Sequence, residues 1–257
     1  MSSERAPAPA EFAEAASVLR EAQSVLVLTG AGVSSESGIP TFRGPGGLWE
    51  GFRAEELATV EAFQRDPERV WRWYRWRRAA YGACAPNPAH TTLALMESRY
   101  DEFLLATQNV DGLHRRAGSQ RIVEIHGTID VVRCSVCAAR APWPADGPDD
   151  SQPVPRCDSC GGMMRPHILW FGETYWPGVL EICRAAAEAA DVVLVAGTSA
   201  TVWPPAALAF HGQRAGATLI DINPERTPIS EAADLHLTGS AGALLPTLWQ
   251  LAFPEPH

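Results

Sequence analysis

The sequence predicts an α/β fold in which a doubly wound parallel sheet is accompanied by a second, smaller unit. Short apolar runs alternate with segments of helical periodicity, and this alternation is typical of parallel sheets. Several of the apolar runs end in glycine-rich or polar turns, which in a parallel sheet meet at the edge where ligands bind. The length of 257 residues allows one large unit and one small unit.

The β-type runs and the helical patterns alternate along most of the chain. The predicted strands are 24–29, 103–107, 121–125, 192–196 and 218–222. The predicted helices are 10–21, 67–82, 89–98, 178–189, 205–214 and 242–251.

The turn after the first predicted strand reads Gly-Ala-Gly at residues 30–32. Such a turn leaves backbone N–H groups open to a phosphate, and a Cβ at either glycine would block the approach. Ser35 stands where a dinucleotide-binding fingerprint would have its third glycine, and a polar segment ending in Arg43 replaces the expected crossover helix. Similar ligand-type turns end three further strands: Gln-Asn-Val-Asp (108–111), Gly-Thr-Ser (197–199) and Asn-Pro-Glu (223–225).

Composition and charge exclude several classes of partner. The net charge of −9 argues against a nucleic-acid-binding surface, because phosphate contacts need a basic face. No apolar run approaches the roughly 20 residues that cross a bilayer. The first ten residues lack the apolar core of a signal peptide. We therefore expect a cytoplasmic protein with neither membrane nor nucleic acid as a partner.

Four of the six cysteines form two Cys-x2-Cys pairs separated by nineteen residues: Cys134, Cys137, Cys157 and Cys160. In a cytoplasmic protein this spacing indicates a structural zinc site rather than disulfides. Each pair can direct two thiolates at one metal ion, and the two pairs complete a tetrahedron. The alternative is a set of unrelated thiols or redox pairs.

Two insertions are expected to form the smaller unit. Residues 132–165 contain the four cysteines, and residues 44–82 are rich in tryptophan and arginine. The large unit then consists of 10–43, 83–131 and 166–257, and residues 1–9 form a flexible N-terminus. The cleft between the two units is the natural substrate site.

One histidine, His126, directly follows the predicted strand 121–125. A lone histidine is most often structural, although its side chain titrates near neutral pH. The preceding Gln-Asn-Val-Asp turn favours a catalytic role, because amides and a carboxylate at a sheet edge suit recognition of ribose and carboxamide groups. The alternative for Asn109 and Asp111 is the capping of a helix or turn.

Taken together, these segments resemble the sirtuins, a family of NAD-consuming protein deacylases. The matching motifs occur in the family's order over most of the chain. They are residues 30–43, 107–114 (Thr-Gln-Asn-Val-Asp-Gly-Leu-His), 124–127 (Glu-Ile-His-Gly), the four cysteines, 166–173 (Pro-His-Ile-Leu-Trp-Phe-Gly-Glu), 197–199, 223–225 and 239–241.

The resemblance implies a Rossmann-like NAD-binding domain with a smaller domain formed by a zinc ribbon and helices. It implies an enzyme that consumes NAD to remove acyl groups from lysine, releasing nicotinamide and O-acyl-ADP-ribose. His126 is then the general base for the ribose hydroxyls. An extended substrate peptide is expected to pair with the main chain of Trp170, Phe171, Gly172 and Glu173. The implied NAD contacts are Gly30, Ala31, Gly32, Ser34, Glu36, Thr41, Phe42, Arg43, Trp49, Gln108, Asn109, Val110, Asp111, Gly197, Thr198, Ser199, Asn223, Pro224, Glu225 and Ala241.

The acyl group is indicated by Tyr74 and Arg77, which lie three residues apart on the predicted helix 67–82 and face one way. A hydroxyl beside a guanidinium can bind a carboxylate, and arginine does so through two parallel bonds. This Tyr-x-x-Arg resembles the acyl-pocket motif of the sirtuin branch that removes succinyl, malonyl and glutaryl groups, and Ala58 matches a small residue that leaves the pocket roomy. The alternative is that Arg77 is one of five arginines on a solvated helix face.

The expected partners are therefore acylated-lysine proteins or peptides, with the chain acting as a monomer and acetyl-lysine as a second substrate. Two rival functions use the same site: protein mono-ADP-ribosyl transfer and a non-catalytic NAD-sensing module. Intact His126, Asn109 and Asp111 argue against the second. A dehydrogenase ranks last, because the third glycine and the ribose-binding acid of its fingerprint are missing.

Overall fold

The computed structural model describes residues 9–40, 54–144 and 153–254. None of the helices in this part of the chain combines the length and apolar character that crossing a membrane requires. The strands are β1 (Ser24–Thr29), β2 (Glu102–Thr107), β3 (Ile122–Glu124), β4 (Gly127–Cys134), β5 (Arg140–Pro142), β6 (Met164–Ile168), β7 (Val192–Ala196), β8 (Thr218–Asn223) and β9 (Leu235–Thr238). The helices are α1 (Pro9–Glu21), α2 (Ala31–Ser35), α3 (Ala54–Leu57), α4 (Val60–Arg65), α5 (Pro67–Gly82), α6 (Pro88–Glu97), α7 (Leu113–Arg116), α8 (Val179–Ala189), α9 (Ala207–Ala215), α10 (Pro228–Ala232) and α11 (Ala241–Ala252).

The large sheet is parallel throughout and has the strand order β3-β2-β1-β7-β8-β9. Its central strand β1 is buried from Val25 to Thr29, as its unbroken apolar run requires for a sheet covered on both faces. One core contains residues of α1, α6 and α11, and another contains residues of α8 and α9. The chain therefore winds outward in both directions from β1, and the order of the strands reverses between β1 and β7. This reversal is where open α/β sheets bind ligands.

The predicted doubly wound sheet is confirmed, and each of the five predicted strands is present within one or two residues of its predicted bounds. The sequence analysis expected a polar segment in place of a simple crossover helix and did not assign the short helix that follows the first turn. A short helix, α2, begins directly at Ala31, and the Val33 N–H donates to the Gly30 carbonyl at 3.1 Å. With five residues, this helix is too short to produce a visible periodicity in the sequence.

A third core, separate from the two that flank the large sheet, joins the small antiparallel sheet to the tryptophan-rich helix α5. The strand order of the small sheet is β5-β4-β6. The helix begins where the Asp66 side chain accepts a hydrogen bond from the Arg69 N–H, with a proline in its first turn. Trp71 is completely buried, and its indole N–H donates to the Met164 carbonyl on β6 at 2.9 Å. The two insertions therefore share one core, while the limits expected for the small domain, 44–82 and 132–165, remain predictions.

Candidate functional site

The turns that follow β1 and β7 touch each other at the reversal point of the large sheet. The Gly32 N–H donates to the Gly197 carbonyl at 2.8 Å. A Cβ on Gly32 would lie 2.7 Å from that carbonyl oxygen, and one on Gly30 would lie 2.8 Å from the Thr198 Cβ. Gly197 itself has φ +59°, a conformation that favours glycine. Packing between the two turns therefore requires these glycines, a reason that the sequence argument about phosphate access missed.

Further hydrogen bonds tie the predicted ligand turns together through Thr198. Gln108 donates from its side-chain amide to the Thr198 hydroxyl at 3.0 Å, and Asn223 donates to the Thr198 carbonyl at 2.8 Å. Pro224 and Glu225 lie beyond these contacts and are exposed. The edge is a rigid surface, which suits the recognition of an extended ligand such as a dinucleotide.

Glu36 closes the same edge by capping α11. Its carboxylate accepts hydrogen bonds from the Gly242 N–H at 2.7 Å and the Ser240 hydroxyl at 2.9 Å. A negative charge at a helix N-terminus is stabilised by the helix dipole. The structure thus brings Glu36 next to Ala241, another predicted NAD contact, and gives Glu36 a structural partner of its own.

His126 lies at the start of β4 and is partly buried. Its Nδ1 is 3.0 Å from the Gln108 carbonyl oxygen, an arrangement that requires Nδ1 to carry the proton. Its Nε2 therefore holds the lone pair, and the Tyr175 hydroxyl donates to it at 3.2 Å. Burial lowers the pKa of His126 below the ordinary value of 6.5, although the bond to Gln108 opposes the shift. The imidazole is consequently neutral near pH 7 and suited to accept a proton.

A small recess lies beside this edge and is lined by both polar and apolar residues of α2, α5 and the turn after β2. Asn109 donates to the Gly30 carbonyl at 3.0 Å and to the Ser34 hydroxyl at 3.1 Å. Ser34 in turn donates to the Asp111 carboxylate at 2.8 Å. Burial raises the pKa of Asp111 despite the hydrogen bonds that favour its charged form. Ala31 and Val110 also line the recess, so five of the predicted cofactor residues lie together here.

Two buried histidines behind the recess were missed by the sequence analysis. The rings of His90 and His114 lie 4.7 Å apart, with the His114 Nε2 3.0 Å from the Thr29 hydroxyl. Burial lowers the pKa of His90 to about 4 and lowers that of His114 well below its ordinary value. His114 belongs to the quoted 107–114 motif, but nothing in the sequence pairs it with His90. Both are neutral and support the recess.

The predicted acyl-recognition pair is buried, but its hydrogen bonds differ from those expected. The Tyr74 hydroxyl accepts the Trp170 indole N–H at 2.8 Å. The Arg77 guanidinium donates instead to the Tyr81 hydroxyl, from Nη2 at 2.7 Å and from Nε at 3.0 Å. Arg77 is only 2% exposed and also lies over the Trp73 ring at 4.7 Å. The alternative of a solvated helix face is therefore wrong for Arg77, because its charge is enclosed.

The turn 170–173 is held by a buried ion pair. Arg165 makes a bidentate contact with the Glu173 carboxylate, at 2.6 and 2.8 Å, and the Trp170 N–H donates to the same carboxylate at 2.8 Å. Burial alone would raise the pKa of Glu173, but Arg165 and the Trp170 N–H lower it. The Phe171 N–H donates to the Ala58 carbonyl at 3.0 Å. Glu173 thus shapes the turn, and Gly172 has φ +83° within it.

The four predicted zinc ligands converge, with all of their Sγ atoms within 4.8 Å of one another. Neighbouring sulfurs lie 3.5 to 3.7 Å apart, close to the spacing of about 3.8 Å expected for a tetrahedral site with Zn–S bonds of about 2.3 Å. The N–H groups of Cys137 and Val136 donate to the Cys134 Sγ and lower the pKa of that thiol to about 6. This cluster of thiols is suited to hold one structural zinc ion.

The five remaining predicted NAD contacts are Ser199 and four residues of the segment 41–49. The Ser199 hydroxyl shares a hydrogen bond with Thr201 at 2.9 Å, at the rim of the edge. Thr41, Phe42, Arg43 and Trp49 lie outside the described residues.

Comparison with known proteins agrees with this geometry. The model of the Sir2 family matches residues 30–204 of the chain. The chain belongs to the Sir2 family, the sirtuins. NAD-dependent protein deacylase 1 of Archaeoglobus fulgidus is 45% identical to this sirtuin over 230 residues, which cover 90% of this chain and 93% of the relative.

Solved structures of sirtuins share the fold over nearly the whole chain. A Sir2 homologue in complex with NAD is 44% identical, covers 93% of this chain and 93% of its own, and superposes with a TM-score of 0.87. Sir2Af2 bound to a myristoylated histone peptide is 30% identical, covers 95% of this chain and 97% of its own, and gives a TM-score of 0.76. The predictions of family, enzyme class and NAD as co-substrate are confirmed.

Proposed function

We propose that this NAD-dependent protein deacylase removes acidic acyl groups, namely succinyl, malonyl and glutaryl, from lysine, with acetyl as a second substrate. The observation that carries the acyl preference is the enclosed Arg77 guanidinium, which lies among Trp73, Tyr74 and Tyr81. An acidic acyl chain ends in a carboxylate, the natural partner of a guanidinium in a site shielded from water. The partners are acylated-lysine proteins or peptides.

The edge of the large sheet is the proposed NAD site. Its glycine turns expose backbone groups, and hydrogen bonds hold the side chains of Gln108 and Asn223 against Thr198. Together they present backbone and amide groups at the edge where ligands bind. When bound, NAD supplies the ribose that receives the acyl group and the nicotinamide that leaves. The recess between Asn109, Asp111 and Ala31 is proposed to hold the nicotinamide end.

His126 is proposed as the general base for a ribose hydroxyl. Its hydrogen bond to the Gln108 carbonyl keeps Nδ1 protonated, and Nε2 consequently presents the lone pair. The lowered pKa keeps that lone pair available near neutral pH. Tyr175 donates to Nε2 through a contact of 3.2 Å, long enough for a ribose hydroxyl to replace it.

The substrate peptide is proposed to run along the turn 170–173 and to pair with its main chain. The Arg165–Glu173 ion pair fixes this turn, and half of the Phe171 side chain remains exposed. Pairing through backbone groups is independent of the peptide's side chains, so broad sequence tolerance should follow.

One assay tests the proposal: peptides carrying succinyl-, malonyl-, glutaryl-, acetyl- and myristoyl-lysine are incubated with NAD, and the products are identified by mass spectrometry. The myristoyl peptide is included because a relative binds a myristoylated histone peptide. We expect the acidic peptides to give the highest kcat/KM and to yield free lysine, nicotinamide and O-acyl-ADP-ribose. A preference for acetyl or myristoyl groups would overturn the acyl assignment.

The variant His126→Tyr separates deacylation from the rival activities. We expect it to lose turnover while remaining folded and zinc-loaded, because the base is removed far from the cysteine cluster. Appreciable deacylation by this variant would exclude His126 as the base. Label from NAD that remained attached to protein would favour mono-ADP-ribosyl transfer instead.

A further inference from the structure

Arg77 is held in place by a residue that no sequence motif indicated. Tyr81 lies four residues further along α5, so the two side chains occupy the same face of the helix. Its hydroxyl oxygen accepts two hydrogen bonds from the guanidinium, at 2.7 Å from Nη2 and 3.0 Å from Nε. The Arg77 Cζ also lies 5.1 Å from the centre of the Tyr81 ring.

These contacts determine the direction in which the guanidinium points. Arginine carries its five N–H donors in a rigid plane, so fixing the edge formed by Nε and Nη2 also fixes the edge formed by Nη1 and Nη2. That second edge has the geometry of a bidentate carboxylate contact. A long side chain that is already ordered before the ligand arrives loses less conformational freedom on binding.

Tyr74 does not hold Arg77 in this way. Its hydroxyl accepts the Trp170 indole N–H, and Arg77 faces its ring with Cζ 5.4 Å from the ring centre. Of these two tyrosine hydroxyls, the one that bonds the guanidinium is thus that of Tyr81, which is 4% exposed and also lines the recess beside Asp111.

We propose that Tyr81 is a positioning residue for acyl specificity: its hydroxyl orients Arg77 toward the carboxylate of an acidic acyl group. This inference rests on the proposed preference for acidic acyl groups. It adds that the preference depends on a tyrosine hydroxyl that contacts the arginine and need not touch the acyl chain.

The test measures kcat and KM of the wild type, Tyr81→Phe, Arg77→Met and the double variant with succinyl- and acetyl-lysine peptides. Phenylalanine retains the ring beneath the guanidinium and removes the hydroxyl. We expect Tyr81→Phe to raise KM for the succinyl peptide about tenfold, the scale of a hydrogen bond to a charged group. Because Tyr81 also lines the recess beside Asp111, the readout is the ratio of the KM values for the succinyl and acetyl peptides, which should rise about tenfold. In the Arg77→Met background, Tyr81→Phe should have no further effect on the succinyl peptide.

A matched control is Tyr100→Phe. Tyr100 is equally buried, at 4% exposure, and its hydroxyl donates to the Leu19 carbonyl in the core on the other side of the protein. This variant loses a buried tyrosine hydroxyl without touching α5. We expect it to leave the ratio of succinyl to acetyl activity unchanged.

The outcomes distinguish this inference from the function on which it rests. A wild type that does not favour the succinyl peptide overturns the proposed function. If the wild type favours it and Arg77→Met abolishes the preference, but Tyr81→Phe binds the succinyl peptide normally, only the role of Tyr81 is overturned. Equal losses on both peptides, or an additional loss in the double variant, would show that Tyr81 acts through general structure and would also overturn the inference.

Discussion

Replacing Arg77 by methionine should convert this deacylase from acidic acyl groups toward neutral ones. Methionine keeps most of the side chain's length and apolar contact with the Trp73 ring but removes the charge. Losing a hydrogen bond to a charged group costs ~1.5–3 kcal/mol, which corresponds to a roughly 10- to 160-fold fall in kcat/KM for a succinyl peptide. Turnover of acetyl-lysine should change little or improve, because a methyl group gains nothing from a guanidinium.

The burial of Arg77 decides where in that range the loss should fall. An exposed ion pair contributes only about 0–1 kcal/mol, because water competes for both partners, and its loss would lower kcat/KM less than about fivefold. Arg77 is 2% exposed, so water cannot readily replace it as the partner of a carboxylate. We therefore expect a loss of at least tenfold.

The assay is the ratio of kcat/KM for succinyl- and acetyl-lysine peptides of one sequence, measured at saturating NAD by mass spectrometry. Arg72→Met is the matched control, since Arg72 lies on the same helix but is exposed, and its loss should leave the ratio unchanged. Equal losses of both activities in Arg77→Met would refute the reasoning. In that case, the role of Arg77 would be structural: its positive charge would stabilise the buried Asp111 carboxylate. That charge lowers the pKa of Asp111 and so opposes the rise caused by burial.

Three further predictions concern the base, the glycine turn and the metal site. Burial lowers the pKa of His126 below 6.5, and its neutral imidazole is the proposed base. The value of kcat/KM should therefore hold down to pH 6.5 and fall only at lower pH; a pH–rate profile with its acid limb at or above 6.5 would contradict this. Gly32→Ala should lower the free energy of unfolding by roughly 1–3 kcal/mol and weaken NAD binding, whereas Gly82→Ala, whose new Cβ would meet no atom within 4 Å, should do neither in thermal melts and titration calorimetry. Cys157→Ala should lose zinc by metal analysis and melt at a lower temperature, while Cys183→Ala should keep its zinc; zinc retained in the first variant would exclude the four-thiol site.

The alternating fold was predictable because long buried strands and capped helices leave strong local patterns. In β1 the run Val-Leu-Val-Leu, residues 25–28, is apolar without a break because both faces of the strand are covered. Strands of the small sheet carry no such pattern: β6 includes the charged Arg165 and the polar His167, which are buried against Trp170, Glu173 and Trp176. The sequence analysis did not assign β6 for this reason, since burial of polar residues depends on tertiary partners that spacing does not reveal. It also left β4, β5 and β9 unassigned.

The sequence predicted which residues form the candidate site but not which of their side chains are hydrogen-bonded to one another. Resemblance to the family's motifs identified His126 and Asp111 at the sheet edge and Arg77 on α5. It did not show that Tyr81 bonds Arg77 or that Tyr175 bonds His126, since both hydroxyls reach their partners only through the packing of α5 and the turn after β6. A tyrosine four residues after a buried arginine is a weak signal until the burial is known.

Trp170 explains why acyl and peptide recognition can be altered separately. Its indole N–H is bonded to Tyr74 on α5, its backbone N–H is bonded to Glu173, and its ring lies under the Arg165 guanidinium at 3.3 Å. The peptide turn is therefore anchored through Tyr74 and the Arg165–Glu173 pair. Arg77 touches this anchor through the Tyr74 ring, with its Cζ 5.4 Å from the ring centre. In the proposed function, side chains of α5 read the acyl group and backbone groups of the turn read the peptide. A change at Arg77 that leaves Tyr74 in place should therefore alter acyl recognition more than peptide binding. A shift in acyl preference would then report on the acyl pocket itself and not on a displaced peptide.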